Sequence, residues 1–364
     1  GPICATGSST VGGGLWPKGS ADQYSFAGGL QIAGIVDPSQ PKSINGFAGD
    51  TAGAFFYNSS TGTGNGVQVQ PIFSSTDASD VAAWPDAARV PLGDPSADLF
   101  DPTLQGSIAA SQGDNWWVYW EGDPSQLTFR AHPLGILVET RSLAWNFPSG
   151  NEDILYFIHT FYNVTSTNPA DYAYIRQPLR DIVLQQARNF QALNTAKYGI
   201  ALPAGGYSIN DIFVDNVTDS DVAQADANFA SVNVPFALGF TYQHNFSETQ
   251  ARGLGWTFDP AIFGSAPFFN GPGFQGIKFL RSPIDPATGQ EVGLTVFGTF
   301  SRSSGSLQDP SDDRQLYRYM SAGLLPTDGA CSVPNPQVNH ICFVNIGAPA
   351  DMRFDPSSSG ETAA

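Results

Sequence analysis

Two long runs of β-branched and aromatic residues, joined by a short polar loop, constrain the fold of this chain more than any other feature. Residues 134–145 read LGILVETRSLAW, and residues 152–164 read EDILYFIHTFYNV. Such residues favour extended strands, and the NFPSGN between them is typical of a hairpin loop. Successive side chains of a strand alternate between its two faces, so Leu155 and Tyr156 begin opposite rows. Both rows are apolar, so we expect the second strand to be covered on both sides.

The rest of the chain carries the same kind of signal, interrupted by turn-forming residues. Its 39 Gly and 27 Pro are spread along the whole length, and they separate short runs with high strand propensity. The candidate strands include YSFAGGLQIAGIVD, GAFFYN, VQVQPIF, NWWVYW, YSINDIFVD, SVNVPFALGFTYQHNF, GIKFLRS and EVGLTVFGTFS. This pattern predicts an all-β protein, most simply a β-sandwich of jelly-roll type with long loops.

One segment has the periodicity of a helix packed on a sheet. Its apolar residues fall on a single stripe at a spacing of three or four: Leu179, Ile182, Val183, Ala187, Phe190 and Leu193. Pro178 suits the first turn, and Gly199 suits the exit. A second, short helix is predicted within residues 312–325.

The length of 364 residues allows one large β-domain or two closely packed domains. We expect a loose Gly/Ser-rich segment over 1–23, a β-rich sandwich region over 24–354 with a possible boundary near 110, and a linker or cut end over 355–364.

The charge excludes some partners. The 33 acidic residues outweigh 16 Lys and Arg, for a net charge of −17, which repels phosphate backbones and argues against nucleic acid as a partner. No run of about 18 apolar residues is present, so the sequence predicts no membrane-spanning helix. Low Lys and Met with abundant Thr, Asn and Gly favour an extracellular location.

Cysteines and glycosylation sequons fit the same location. Cys331 and Cys342 flank a segment rich in turn formers, which favours a hairpin-closing disulfide over free thiols and leaves Cys4 over. Four Asn-X-Ser/Thr sequons permit N-glycosylation without showing it: Asn58, Asn163, Asn216 and Asn245.

The aromatic stretch NWWVYWEGDPS raises the question of carbohydrate binding. Alternation places Trp116 and Trp120 on one face of a strand, followed by Glu121 and Asp123 in a turn. Exposed rings on one face would form a sugar platform together with Glu121, and Glu121 with Asp123 would be the two carboxylates of a glycosidase. Core packing of that face is the favoured alternative, and the acids are then ordinary turn formers.

A cluster of acids offers a candidate calcium site. Carboxylates concentrated after a strand suit Ca²⁺, which prefers oxygen ligands, and the candidate ligands are Asp215, Asp219, Asp221 and Asp226. Their spacing does not match an EF-hand, and a solvated acidic loop is the alternative.

Familiar catalytic signatures are missing from the sequence. It has no GxSxG elbow, Walker A loop, CxxC or HExxH, and its four histidines are far apart, which argues against zinc. GPGFQG precedes a strand-like IKFL, so it lacks the helix that a dinucleotide site needs. The balance leans away from an enzyme without deciding the question.

Several stretches together resemble a known group of proteins. GLWPKGSADQYSFAGGLQIAGIV, WWVYWEGDPS and HPLGILVETRSLAWNFPSGNEDILYFIHTFYNV look like the amino-terminal region of large uncharacterised secreted proteins of environmental bacteria, of the Gemmatimonadota and Bacteroidota type. The resemblance implies export to the cell surface or beyond, and an architectural strand and turn at NWWVYWEGDPS. In that group an Asp-Pro-Asp turn looks cation-binding. Asp215 aligns with its first Asp, whereas Asn216 and Val217 depart from it.

Three hypotheses follow from the sequence. The first is a non-enzymatic surface or matrix component that self-assembles into a filament or layer. The second is a carbohydrate-binding or carbohydrate-active module, and the third is a calcium-stabilised adhesion module.

Overall fold

The computed structural model describes the chain in separate stretches. The described residues are 14–15, 23–36, 51–55, 67–90, 102–120, 133–199, 201–220, 228–233, 236–243, 274–298, 313–321 and 343–345.

Most regular elements in this part of the chain are strands. They are β1 (Gly14–Leu15), β2 (Gln23–Val36), β3 (Thr51–Phe55), β4 (Val67–Ser74), β5 (Asn115–Trp120), β6 (Ile136–Ala144), β7 (Leu155–Asn163), β8 (Ile209–Ser220), β9 (Asn228–Asn233), β10 (Leu238–Gln243), β11 (Phe274–Lys278), β12 (Val296–Gly298) and β13 (Phe343–Asn345). The described helices are α1 (Ala78–Ala82), α2 (Gln177–Tyr198) and α3 (Asp313–Met320). Every strand pair whose register is described is antiparallel. The predominance of antiparallel strands among the described residues confirms the predicted all-β class.

The chain divides into two compact units. The first takes its residues mainly from 33–55 and 65–212, and the second from 2–32, 56–64 and 213–364. Residue 110, near the predicted boundary, lies within the first unit.

The sheet β4-β5-β6-β7 is the centre of the first unit. The β6–β7 hairpin runs in unbroken register from Ile136 opposite Asn163 to Ala144 opposite Leu155. The pairing of β5 with β6 is equally regular, so the hairpin and the NWWVYW strand predicted from the sequence are confirmed. Paired residues share a face, and one face therefore carries the row Trp116, Arg141 and Ile158.

The expectation that β7 is covered on both faces is wrong at its beginning. Leu155 is 63% exposed and Phe157 is 39% exposed, whereas Tyr162 near the other end is buried. The reason is position: Leu155 and Phe157 lie on the face of the strand opposite Glu139, Arg141 and α2, so the helix covers the other face.

Helix α2 packs its apolar stripe on the first unit as the sequence predicts. Leu179, Val183, Ala187 and Phe190 are buried, and the Phe190 ring meets the Trp120 ring edge-on at 6.5 Å between centroids. The helix has Pro in its first turn and ends at Gly199, whose φ of 67° is the left-handed conformation expected of a C-cap.

In the second unit, β9, β10 and β11 form an antiparallel meander, and β12 pairs with β13. Helix α3 lies within the predicted 312–325 segment, and its Tyr317 ring packs edge-on against Phe213 at 5.5 Å.

A separate sheet contains β1, β2, β3 and β8, in which β2 pairs with each of the other three strands. Among the described residues, none of the helices combines the length and the hydropathy needed to cross a bilayer.

Candidate functional site

The most concentrated polar chemistry in the described structure lies on the α2-facing side of the β4–β7 sheet. Its first centre is Asp114, which immediately precedes β5 and is 0% exposed. One carboxylate oxygen accepts from the backbone N–H of Ser111 at 2.8 Å and from its hydroxyl at 2.5 Å. The other accepts from the N–H of Ala110 at 2.9 Å and from Arg141 at 2.9 Å. The carboxylate therefore shapes the 110–114 loop and neutralises a buried cation.

Arg141 enters this centre from β6 and is 6% exposed. Its guanidinium also donates to the carbonyls of Ala88 and Ile108, so the side chain ties two loop segments to the sheet. Burial lowers the pKa of Arg141, and the hydrogen bond and charge of Asp114 act in the opposite direction. A buried cation is tolerable only when it is paired in this way.

The second centre is Glu139, two residues before Arg141 and on the same face. One carboxylate oxygen accepts from Trp116 Nε1 at 2.8 Å and from Arg176 at 3.2 Å. The other accepts from the hydroxyl of Tyr162 at 3.0 Å. Glu139 therefore joins β5, β6 and β7 and connects them to the residue that precedes α2.

Together the two centres form a row of alternating charge: Asp114, Arg141, Glu139 and Arg176. The two ion pairs measure 2.9 Å and 3.2 Å, and all four side chains are at least four-fifths buried. Each carboxylate accepts hydrogen bonds at both of its oxygens. A general acid or base must reach a substrate proton, and these carboxylates are directed at their own protein partners. The arrangement suits stabilisation of the sheet.

The opposite face of the same strands carries a smaller polar pair. The hydroxyl of Thr140 and His159 Nδ1 lie 2.9 Å apart, and the His159 ring stacks on Phe157 with an interplanar angle of 2°. Burial lowers the pKa of His159 to about 4, so the imidazole is neutral at physiological pH.

The structure places the aromatic candidates for sugar binding in the interior. Trp116 is 0% exposed and Trp120 is 4% exposed. A sugar platform needs exposed rings, whereas these two rings are buried, as the core-packing alternative predicts. Glu121 lies outside the described residues.

The calcium candidates are only partly described. Asp215 and Asp219 lie within β8 and not in a loop after a strand. Burial raises the pKa of the half-buried Asp215 to about 6. Asp221 and Asp226 lie outside the described residues. Within the described ranges no group of three or more His, Cys, Asp or Glu is arranged to hold a metal ion.

Two sequons fall on described strands. Asn163 ends β7 and is exposed, and its side-chain amide donates to the carbonyl of Tyr207 at 2.9 Å. Asn216 is half-buried in β8. The remaining predicted sites lie outside the described residues: Asn58, Asn245, Cys331 and Cys342.

Sequence reasoning missed the charged row. Its signal was present in β6, where Glu139 and Arg141 are the two charged residues of the strand and their spacing of two puts both on one face. Charges on a buried strand face require partners. The partners are Asp114 and Arg176, and they could not be predicted from spacing within β6, because they depend on the register of β5 and the packing of α2.

Comparison of the chain with protein-family models, with curated proteins and with solved structures gave no match.

Proposed function

We propose that the protein is a secreted, non-enzymatic surface or matrix component that associates with copies of itself through a sheet edge. The observation that carries this proposal is the contrast between the two edges of the β4–β7 sheet.

The β4 edge has features that discourage strand addition. Its pairing with β5 shifts register between Gln68 and Gln70 and again between Gln70 and Phe73, and the strand contains Pro71. Proline removes a backbone donor, and irregular pairing twists a strand, so both protect an edge from further pairing.

The β7 edge has none of these features. The strand is nine residues long, and its sequence, LYFIHTFYN, contains no Pro, Gly, Lys, Arg, Asp or Glu. Its register with β6 is unbroken. A long, regular, uncharged edge is the kind that accepts another strand.

The side-chain chemistry of this unit supports a structural role. Glu139 and Asp114 hold strands and loops together, and the Trp116 and Trp120 rings fill the interior. These groups stabilise the sheet that presents the β7 edge. Composition and the resemblance to secreted bacterial proteins support an extracellular setting.

Sedimentation velocity of the full chain over a wide range of concentrations, with negative-stain electron microscopy of the same samples, tests the proposal. We expect a concentration-dependent shift from monomer to species of at least twice the monomer mass. A single monomeric species throughout would contradict it. Binding on a glycan panel, or a melting temperature that falls with chelator, would instead favour the carbohydrate or calcium alternatives.

A further inference from the structure

The hydrogen-bonding pattern of the β6–β7 hairpin shows which backbone groups of β7 point to its open side. The N–H of Val164 donates to the carbonyl of Gly135 at 2.8 Å, and these residues continue the pairing of Ile136 with Asn163. Hydrogen-bonded and non-hydrogen-bonded pairs alternate along an antiparallel ladder, so even-numbered residues of β7 bond to β6. The backbone groups that face outward therefore belong to Leu155, Phe157, His159 and Phe161.

These four residues, hereafter the open set, have no backbone partner on the outward side among the described residues. Leu155 and Phe157 are also the exposed large apolar side chains of the strand. The open set ends before Asn163, because the carbonyl of Asn163 accepts a hydrogen bond from the Tyr172 hydroxyl at 3.0 Å.

We propose that β7 pairs antiparallel with β7 of a second copy of this chain, about a two-fold axis that passes at Ile158. The inference rests on the proposed self-association and adds its partner, its register and its stoichiometry.

This register uses the whole open set. It places Leu155 opposite Phe161 of the second copy and Phe157 opposite its His159, so every outward N–H and carbonyl of the set meets one from the same set. Moving the axis to His159 would place Leu155 opposite Asn163, whose carbonyl is already engaged. The axis at Ile158 is therefore the register that the free backbone groups fit best.

The side chains that the register brings together are compatible. Phe157 meets an imidazole on one face, and Tyr156 meets Thr160 on the other, while Ile158 meets itself. Aromatic and β-branched cross-strand pairs stabilise a ladder relative to alanine pairs. No charged side chain of either strand is opposed by a like charge.

Charge also selects the antiparallel arrangement. Glu152 and Asp153 lie just before β7, separated from it by Ile154. A parallel pair would bring the two copies of these acids together, which is unfavourable in a chain of net charge −17. The antiparallel register instead places the start of each β7 beside the end of the other, which keeps the two pairs of acids apart.

A two-fold pairing of identical edges closes on itself. Because Pro71 and the irregular pairing of β4 discourage strand addition at the other edge, the expected product is a dimer with one continuous sheet through both copies. A filament or layer then needs a second contact elsewhere.

Lysine substitutions on the exposed start of β7 test the interface. Leu155→Lys and Phe157→Lys each add a charge to the edge, as natural edges do to prevent pairing. Ile72→Lys is the matched control, because Ile72 is 52% exposed on the opposite edge strand β4. We expect the parent and Ile72→Lys to dimerise equally and both β7 variants to dissociate at least tenfold more readily in sedimentation velocity, with circular dichroism confirming the fold.

Cross-linking tests the register. It also tests whether β7 pairs with β7 of a second copy if a lysine variant fails to fold. Ile158→Cys places two thiols directly opposite at a non-hydrogen-bonded position, where Cβ atoms approach about 4.5–5.5 Å. Thr160→Cys lies on the same face, two residues from the axis, and is the control. Mild oxidation should give a disulfide-linked dimer for Ile158→Cys well above the parent background and little for Thr160→Cys.

The outcomes separate this inference from the proposed function. A monomeric parent at every concentration overturns both. A dimeric parent whose dimer survives Leu155→Lys and Phe157→Lys overturns only the β7 interface. Dissociation of the β7 variants together with cross-linking at 160 and not at 158 overturns the register.

Discussion

Replacing Asp114 by Asn tests whether the buried charged row holds the sheet together. The substitution keeps the size of the side chain and removes the charge opposite Arg141. Asp114 is 0% exposed and Arg141 is 6% exposed, so water cannot replace the lost partner. Asn also cannot accept all the hydrogen bonds that the carboxylate receives from Ala110, Ser111 and Arg141.

The magnitude follows from this burial. Removing one partner of a buried ion pair costs about 3–5 kcal/mol, because the remaining charge stays desolvated. Asp86→Asn is the matched control: Asp86 pairs with Arg89 at 3.1 Å, but the two side chains are 78% and 41% exposed. Exposed pairs contribute at most about 1 kcal/mol. Asp114→Asn should therefore lower the melting temperature by about 6–12 °C or more, and Asp86→Asn by a few degrees at most.

Urea unfolding followed by tryptophan fluorescence is the assay, because Trp116, Trp117 and Trp120 lie in the same sheet and are largely buried. Adding Arg141→Met to the Asp114→Asn background should recover part of the loss, since it removes the unpaired cation. Equal losses of unfolding free energy for Asp114→Asn and Asp86→Asn would refute the reasoning.

Three further substitutions test the packing and the electrostatics. Gly135→Ala should lower the free energy of unfolding by ~1–3 kcal/mol more than Gly150→Ala in urea titrations. Both glycines have positive φ, at 88° and 100°, but only at Gly135 would a Cβ approach Phe190 to 3.0 Å; equal losses would contradict this packing. Burial lowers the pKa of His159 from 6.5 to about 4, so the unfolded chain takes up a proton that the folded chain resists. The free energy of unfolding should therefore fall by ~2 kcal/mol as the pH drops from about 6.5 to about 4, and His159→Gln should remove that component; an identical pH profile for parent and variant would contradict it. Burial raises the pKa of Asp215 from 3.8 to about 6, so its carboxylate destabilises the fold at neutral pH. Asp215→Asn should raise the free energy of unfolding by ~1–2 kcal/mol at pH 7, a gain that thermal melts should show shrinking as the pH falls towards 4; a loss of stability at pH 7 would count against it.

The sequence predicted those elements whose signals are local. The β6–β7 hairpin follows from residue propensity around a turn-forming loop, and α2 follows from one apolar stripe between Pro178 and Gly199. Alternation also placed Trp116 and Trp120 on one face of β5 correctly. In each case neighbouring residues carry enough information, because period and propensity act within a single element.

Features that depend on pairing between distant segments were not predictable in the same way. Asp114 and Arg141 are 27 residues apart, and their contact exists because β5 and β6 align in one register. The exposure of Leu155 depends on which face of the sheet α2 covers, and apolar alternation does not reveal that. The continuation of β8 beyond Asp215 to Ser220 was missed for a related reason, because the acids there are typical of loops and the pairing with the distant β2 is not visible in the local sequence.

Residue-resolved amide hydrogen exchange as a function of protein concentration tests the central claim most directly. The outward N–H groups of Phe157 and His159 have no partner in the described chain, whereas the N–H of Ile158 bonds to β6. If the protein acts by pairing through β7, protection of the outward amides should rise with concentration while that of Ile158 changes much less. Outward amides that exchange equally fast at every concentration would contradict the account.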